Sequence, residues 1–301
     1  MTKPKQASIN TISTIALFFF ITFLSSPIIG LAYYLTQSSQ LLHPVSLPQN
    51  EEIAAPPLYH IVSEAISFGI TDKPEFDMFT FEERMERGLP TKIPEITPYF
   101  NTKVVYLTFD DGPDPENTPK ILDILKENKI KGTFFVIGSE VEKHPEILQR
   151  IFQEGHAIGN HTYNHVYKDL YHSPSAYTQQ LHRTDRIIKS FIGVRPRISR
   201  APGGSSGSFN KNYWDKLKTE GYIEVGWNVS SGDASLAKAE QITHNIISQM
   251  NNNYLWNRAI VLMHDGRGHH ETVKALPLII KFYKENHFEF RVVNSQTPSP
   301  W

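Results

Sequence analysis

From residue 104 onward the chain alternates short apolar runs with longer amphipathic ones. VVYLTF, GTFFVI, HAIGN, RPRISRAP, YIEVGWNV, AIVLMH and FEFRVVN have the length and the β-branched and aromatic content of strands. Between them, TPKILDILKENK, HPEILQRIFQEG, AYTQQLHRTDRIIKSFIG, YWDKLKTEG, AEQITHNIISQM and VKALPLIIKFYKEN repeat their apolar residues at the helical period. Seven strands alternating with six helices predict an α/β fold with a parallel sheet and helices outside it, a (β/α) barrel, complete or incomplete, rather than an open sheet.

Polar residues at strand C-termini are the ones to collect, because barrels of this kind place their chemistry there. The strand ends carry Asp110 and Asp111, then GNHTYNH, SRAPGG, NVSSGDA and HDG. Two adjacent carboxylates repel unless a positive charge lies beside them. His161 and His165 are spaced i, i+4, which on a helical turn sets both imidazoles on one face. Two histidines at that spacing also fit a surface pair. With one carboxylate added they form a three-ligand set that leaves positions open for water and substrate, the pattern of a catalytic metal. One aspartate is then a ligand and the other stays free beside the bound water.

Before residue 103 the pattern is different. Lys3 and Lys5 precede an uncharged stretch at 12–35, ISTIALFFFITFLSSPIIGLAYYL. It is long enough to span a bilayer, and the flanking lysines orient it with the rest of the chain exported. A cleaved signal segment ending at Ala32 is the alternative. Residues 1–36 are therefore expected to be a membrane anchor or signal segment, and 37–102 a proline-rich spacer with short helices at 58–68 and in FTFEERMERG. The region 103–294 is the expected catalytic domain, with a tail at 295–301.

Charge and composition narrow the partners. Thirty basic residues balance 31 acidic ones with no long run of either sign, which argues against nucleic acid. The chain has no cysteine, so disulfides, thiolate metal sites and thiol nucleophiles are excluded. Any metal must be held by His, Asp or Glu.

TFDDGP, HTYNH, RAPGG, GWNVSSGDA and LMHDG follow the order and approximate spacing of the five motifs of polysaccharide deacetylases, carbohydrate esterase family four, which the chain resembles over 103–294. The resemblance implies a distorted (β/α)7 barrel and metal-dependent removal of acetyl groups from N-acetylated sugars. It implies Asp111, His161 and His165 as ligands of a divalent metal, zinc or else cobalt, nickel or manganese. Asp110 resembles the general base, Arg200 its partner, His264 the general acid and Asp233 the carboxylate that tunes it. Gly203 matches the residue whose backbone N–H faces the oxyanion, where the family has a tyrosine.

The fourth motif departs from the pattern, with Ser230 and Ala234 where the family has an aspartate and a tryptophan. That tryptophan walls the acetyl methyl, so the shape of the groove is open, with Trp227 a candidate replacement. Tyr163, Tyr167 and Trp214 are candidates to stack on sugar faces, while His269 and His270 are expected to face solvent. The expected substrate is acetylated cell-wall glycan, peptidoglycan N-acetylglucosamine first. A sugar O-deacetylase, a chitin-oligomer deacetylase and an inactive glycan-binding relative are the alternatives.

Overall fold

Strand β3 (Val104–Asp110) shows how the alternation builds the barrel in the computed structural model, which describes residues 58–66 and 72–300. Val105, Leu107 and Phe109 point outward into the layer beneath the helices, whereas Val104 and Tyr106 point inward. A period of two therefore puts Thr108 and Asp110 on the inner face, at the mouth. The anchor expected at 12–35 lies outside the described residues.

Seven strands lie parallel and curl around this one. β4 (Thr133–Val136), β5 (Ala157–Asn160), β7 (Ile198–Ser199) and β8 (Ile223–Glu224) follow on one side of β3, and β10 (Arg258–His264) and β9 (Val229–Ser230) on the other. β11 (Glu289–Phe290) pairs with the start of β3. Of the run FEFRVVN only these two residues are strand. Among the described residues no ladder joins β8 to β9, so the sheet is a curled half-barrel, consistent with a distorted (β/α)7 barrel.

The helices cover the outer face with the stripes their sequences carry. α2 (Thr118–Glu127) buries Ile121, Leu122 and Leu125, and α4 (Pro145–Gln153) buries Ile147, Leu148 and Ile151. α6 (Pro174–Ile192), α8 (Ala239–Gln249) and α9 (His270–Glu285) do the same with Leu181 and Ile188, Ile242 and Ile246, and Leu276, Ile279 and Ile280. A six-residue helix, α3 (Gly138–Lys143), was not legible in the pattern, and α7 (Lys211–Thr219) was.

The segment before the barrel is ordered against it. In place of the helix expected at 58–68 there is a three-residue strand, β1 (His60–Val62), pairing with β2 (Glu75–Asp77). β2 in turn pairs antiparallel with β6 (Arg195–Pro196), three residues before the third motif. The helix expected in FTFEERMERG is α1 (Phe81–Glu86), closed at its N-terminus by a reciprocal capping box between Thr80 and Glu83. Buried Arg84, Arg195 and Arg197 converge on buried Asp77 at 2.8, 3.2 and 3.3 Å. Removing that carboxylate would leave charge uncompensated in the core, which costs about 3–5 kcal/mol.

Candidate active site

Asp111 follows β3 with a left-handed φ of 78°, a strained setting for a residue with a side chain. The turn aims its carboxylate at the loop after β5. Asp111 Oδ1 lies 3.3 Å from His161 Nε2 and 3.4 Å from His165 Nε2, with the two imidazole centroids 5.1 Å apart. The histidines are not on a helical turn as their spacing suggests. They sit on an irregular loop in which Thr162 and His165 both have positive φ, and that bend brings the rings together.

His161 Nδ1 is 2.8 Å from the Arg200 carbonyl, so it is the N–H donor and Nε2 is left as the lone-pair nitrogen facing Asp111. Asp111 Oδ1 is buried and has no hydrogen-bond partner among the described residues. Three donor atoms around one point at these separations match tetrahedral ligands about 2.0–2.2 Å from a shared ion, whose edges are about 3.3–3.5 Å. Burial works against both charges, yet the Asp111 carboxyl is held well below the usual range by the His161 imidazole, and His161 is pushed up by Asp110 and Asp111, so positive charge, a proton on Nε2 or a cation in its place, is favoured between them. The cluster calls for a cation at its centre.

Asp110 is buried beside it, with Oδ1 2.9 Å from Arg200 Nη1 and Oδ2 3.9 Å from His161 Nε2. Arg200 follows β7 and reaches across the inside of the curled sheet. Its guanidinium donates to Thr108 Oγ1, Asp110 Oδ1, the Val225 carbonyl and the Gly226 carbonyl at 2.7–3.0 Å. It also lies 4.1 Å from the Phe135 ring centroid. The arginine thus bridges the inner side of the curled sheet, from the segment after β8 to β3, and orients Asp110.

His264 ends β10 directly opposite Asp110 in the ladder. Its Nδ1 is 2.8 Å from Asp233 Oδ1, and its backbone N–H donates to Asp233 Oδ2 at 2.7 Å. Burial opposes a charge on the ring, but the Asp233 bond, with Asp110 and Asp111 behind it, pushes the imidazole up to about 9. Asp233 also accepts from Ser231 Oγ and Thr272 Oγ1 at 2.7 and 2.8 Å. Asp233, His264 and His269 form a second cluster with donor atoms within metal-ligating range. There the carboxylate already accepts four hydrogen bonds, in contrast to the unpartnered oxygen of Asp111.

With this geometry in hand, comparison with known proteins is decisive. The polysaccharide deacetylase family model matches residues 98–225. A peptidoglycan-N-acetylglucosamine deacetylase of Bacillus cereus is 37% identical over 183 residues, 60% of this chain and 63% of that protein's length. A chitooligosaccharide deacetylase of a Bradyrhizobium strain is 33% identical over 207 residues, 62% of this chain and 88% of that protein. The chain belongs to the polysaccharide deacetylase family. The crystal structure of the catalytic domain of a Eubacterium rectale peptidoglycan N-acetylglucosamine deacetylase superposes with a TM-score of 0.62 at 31% identity, covering 68% of this chain and 95% of that one.

Against the family pattern, the structure brings Asp110, Asp111, His161, His165, Arg200, Asp233 and His264 to one rim. Gly203 lies on the exposed loop after β7 with φ 71°, and a Cβ there would meet the Tyr167 hydroxyl at 2.7 Å. His269, expected in solvent, is turned inward: its ring stacks on His264 at 5.0 Å and its Nδ1 is 3.9 Å from Asp233 Oδ2. Nothing in the pair His269–His270 distinguishes the inward ring from the outward one, since helix α9 begins between them. Glu224 is a further buried acid that the motifs do not mark. It holds the third-motif loop through Ser199 Oγ and the Ala201 N–H, and burial pushes its carboxyl up to about 7.

Proposed function

We propose that this chain is a metal-dependent hydrolase that removes N-acetyl groups from N-acetylglucosamine-containing cell-wall glycan, peptidoglycan above all. The observation that carries the reading is the buried, unpartnered Asp111 Oδ1 facing two imidazole nitrogens, with a carboxylate and a protonated imidazole on either side of it. Relatives named for peptidoglycan and for chitooligosaccharide deacetylation support the substrate class. The apolar run at 12–35 after Lys3 and Lys5 supports export and anchoring at the cell membrane, which would put the site beside the wall.

Asp111, His161 and His165 would hold a divalent ion, zinc by preference with cobalt, nickel or manganese as alternatives, which when bound polarises the amide carbonyl and lowers the pKa of its water. Asp110 takes the proton from the attacking water through Oδ2, because Oδ1 is held by Arg200. As the C–O bond forms, the carbonyl oxygen gains charge and the Gly203 N–H donates to it. An amine leaves poorly unless protonated. His264 delivers that proton from Nε2, since Nδ1 is tied to Asp233, and the C–N bond breaks to give acetate and a free amino sugar.

The test is acetate release from acetylated peptidoglycan and from chitin oligomers, with chelator, after zinc is restored, and in Asp110→Asn. Release that chelator abolishes, zinc restores and the variant lacks is the expected result. A zinc-loaded protein that releases acetate from neither polymer would overturn the reading.

A further inference from the structure

The short helix α5 (Tyr167–Leu170) begins two residues after His165 and presents Tyr167 with 52% of its surface exposed. The ring is half in water and yet fixed. It stands edge-on to His165 with centroids 5.6 Å apart, and rests on Tyr171 at 5.8 Å. Tyr171 is itself pinned by its hydroxyl to the Pro202 carbonyl at 2.6 Å. The ring is therefore clamped between the histidine loop and the third-motif loop.

Directly beneath it lies Gly203, where an added Cβ would come within 2.7 Å of Tyr167 Oη and 3.0 Å of Cε1. One residue on, Gly204 stands in the same relation to Trp227, whose Cη2 would meet a Cβ at 3.0 Å. Two neighbouring glycines have surrendered side-chain space to two rings from other loops. Tyr167 stands between His165 and the backbone of the third motif, while Trp227 lies 5.8 Å from the Arg200 guanidinium.

We infer that Tyr167 is a specificity-determining wall of the substrate site, receiving the apolar face of an N-acetylated pyranose, and that Gly203 is glycine because this ring occupies its side-chain space. The inference rests on the deacetylase reading for its substrate, and on packing alone for the pairing with Gly203. A rigid ring offers contact area to a sugar at little conformational cost, and such edges dominate small-ligand sites.

The experiment is a cycle of Gly203→Ala and Tyr167→Ala, singly and together, with Tyr167→Phe alongside. Each is read by thermal unfolding, zinc affinity, calorimetric binding of an N-acetylglucosamine tetramer, and kcat and KM for acetate release. Left-handed strain at residue 203 is common to both backgrounds, so the expected result is a Tm loss from Gly203→Ala larger by roughly 2–4 °C with Tyr167 present than in the Tyr167→Ala background. Tyr167→Ala should raise KM roughly five- to ten-fold with kcat and zinc affinity held, and Tyr167→Phe should match the wild type. An equal Tm loss in both backgrounds overturns the shared space. Unchanged KM in Tyr167→Ala, or equal damage in Tyr167→Phe, overturns the wall. If the wild type releases no acetate the deacetylase reading fails instead, and equal tetramer affinity of wild type and Tyr167→Ala then overturns the wall by itself.

Discussion

Replacing Asp233 by Asn tests the charge on His264 with little change of shape. The imidazole is pushed from an ordinary 6.5 up to about 9, because the carboxylate 2.8 Å from Nδ1 outweighs the cost of burial. A shift of that size corresponds to about 3 kcal/mol in favour of imidazolium. An amide keeps an oxygen in reach of Nδ1 but removes the negative charge, so burial is no longer answered by its nearest anion, and the group should titrate near or below about 6.5. At pH 8 a donor with a pKa of about 9 is roughly 90% charged and one at about 6.5 only about 3%, a drop of about thirty-fold in the competent form. The deficit should therefore grow with pH between about 6.5 and 9 and nearly vanish below about 6. Folding stability follows the same sign: a raised pKa contributes fully below about 6.5 and its contribution is lost as pH rises through about 9. The wild type should lose Tm across that window, and the variant should be flatter. Acetate-release profiles from acid to alkaline pH, with an NMR titration of His264 in metal-free protein, provide the measurement. A variant whose deficit is the same at every pH would refute a charged His264 maintained by Asp233.

Two further outcomes concern the scaffold of the site. Arg200→Met strips four hydrogen bonds from buried acceptors and leaves Asp110 uncompensated. It should destabilise by about 3–5 kcal/mol in urea unfolding, with Arg200→Lys recovering only part, because an ammonium cannot reach all four acceptors; a loss under about 1 kcal/mol would contradict the bridging role. Gly112→Ala would drive a Cβ to 2.2 Å from Asp265 Oδ2, the buried acid whose other oxygen accepts from the Gly112 N–H. We expect a loss of about 1–3 kcal/mol and zinc affinity reduced by at least about ten-fold as Asp111 is displaced, measured by competition with a chromophoric chelator; wild-type affinity would show that the turn is not what sets Asp111.

Much of the site was legible because strand period and motif position act together. The alternation in 104–110 decides that Asp110 faces the barrel mouth, and the same period in Arg258–His264 places His264 beside it. The histidine pair was legible as a pair, but its geometry comes from left-handed loop residues that no helical spacing describes. β1 was misread as helix because three residues carry no period, and its partner β2 lies beyond local sequence signals. The inward turn of His269 and the ring of Tyr167 over Gly203 depend on contacts between separate loops, to which composition and spacing are blind.

The clasp around Asp77 separates two boundaries that are easily taken for one. The shared family region starts at residue 98, whereas the charges that neutralise Arg195 and Arg197 include an aspartate twenty-one residues earlier. Recombination that moved only the motif-bearing region would carry two guanidinium groups into a new host without the counter-ion they share. What the family model spans is thus smaller than what folds together here. In this chain the stretch from His60 to Glu86 is tied to the barrel by that shared charge, and transplanting its catalytic domain should succeed only where the junction falls before it.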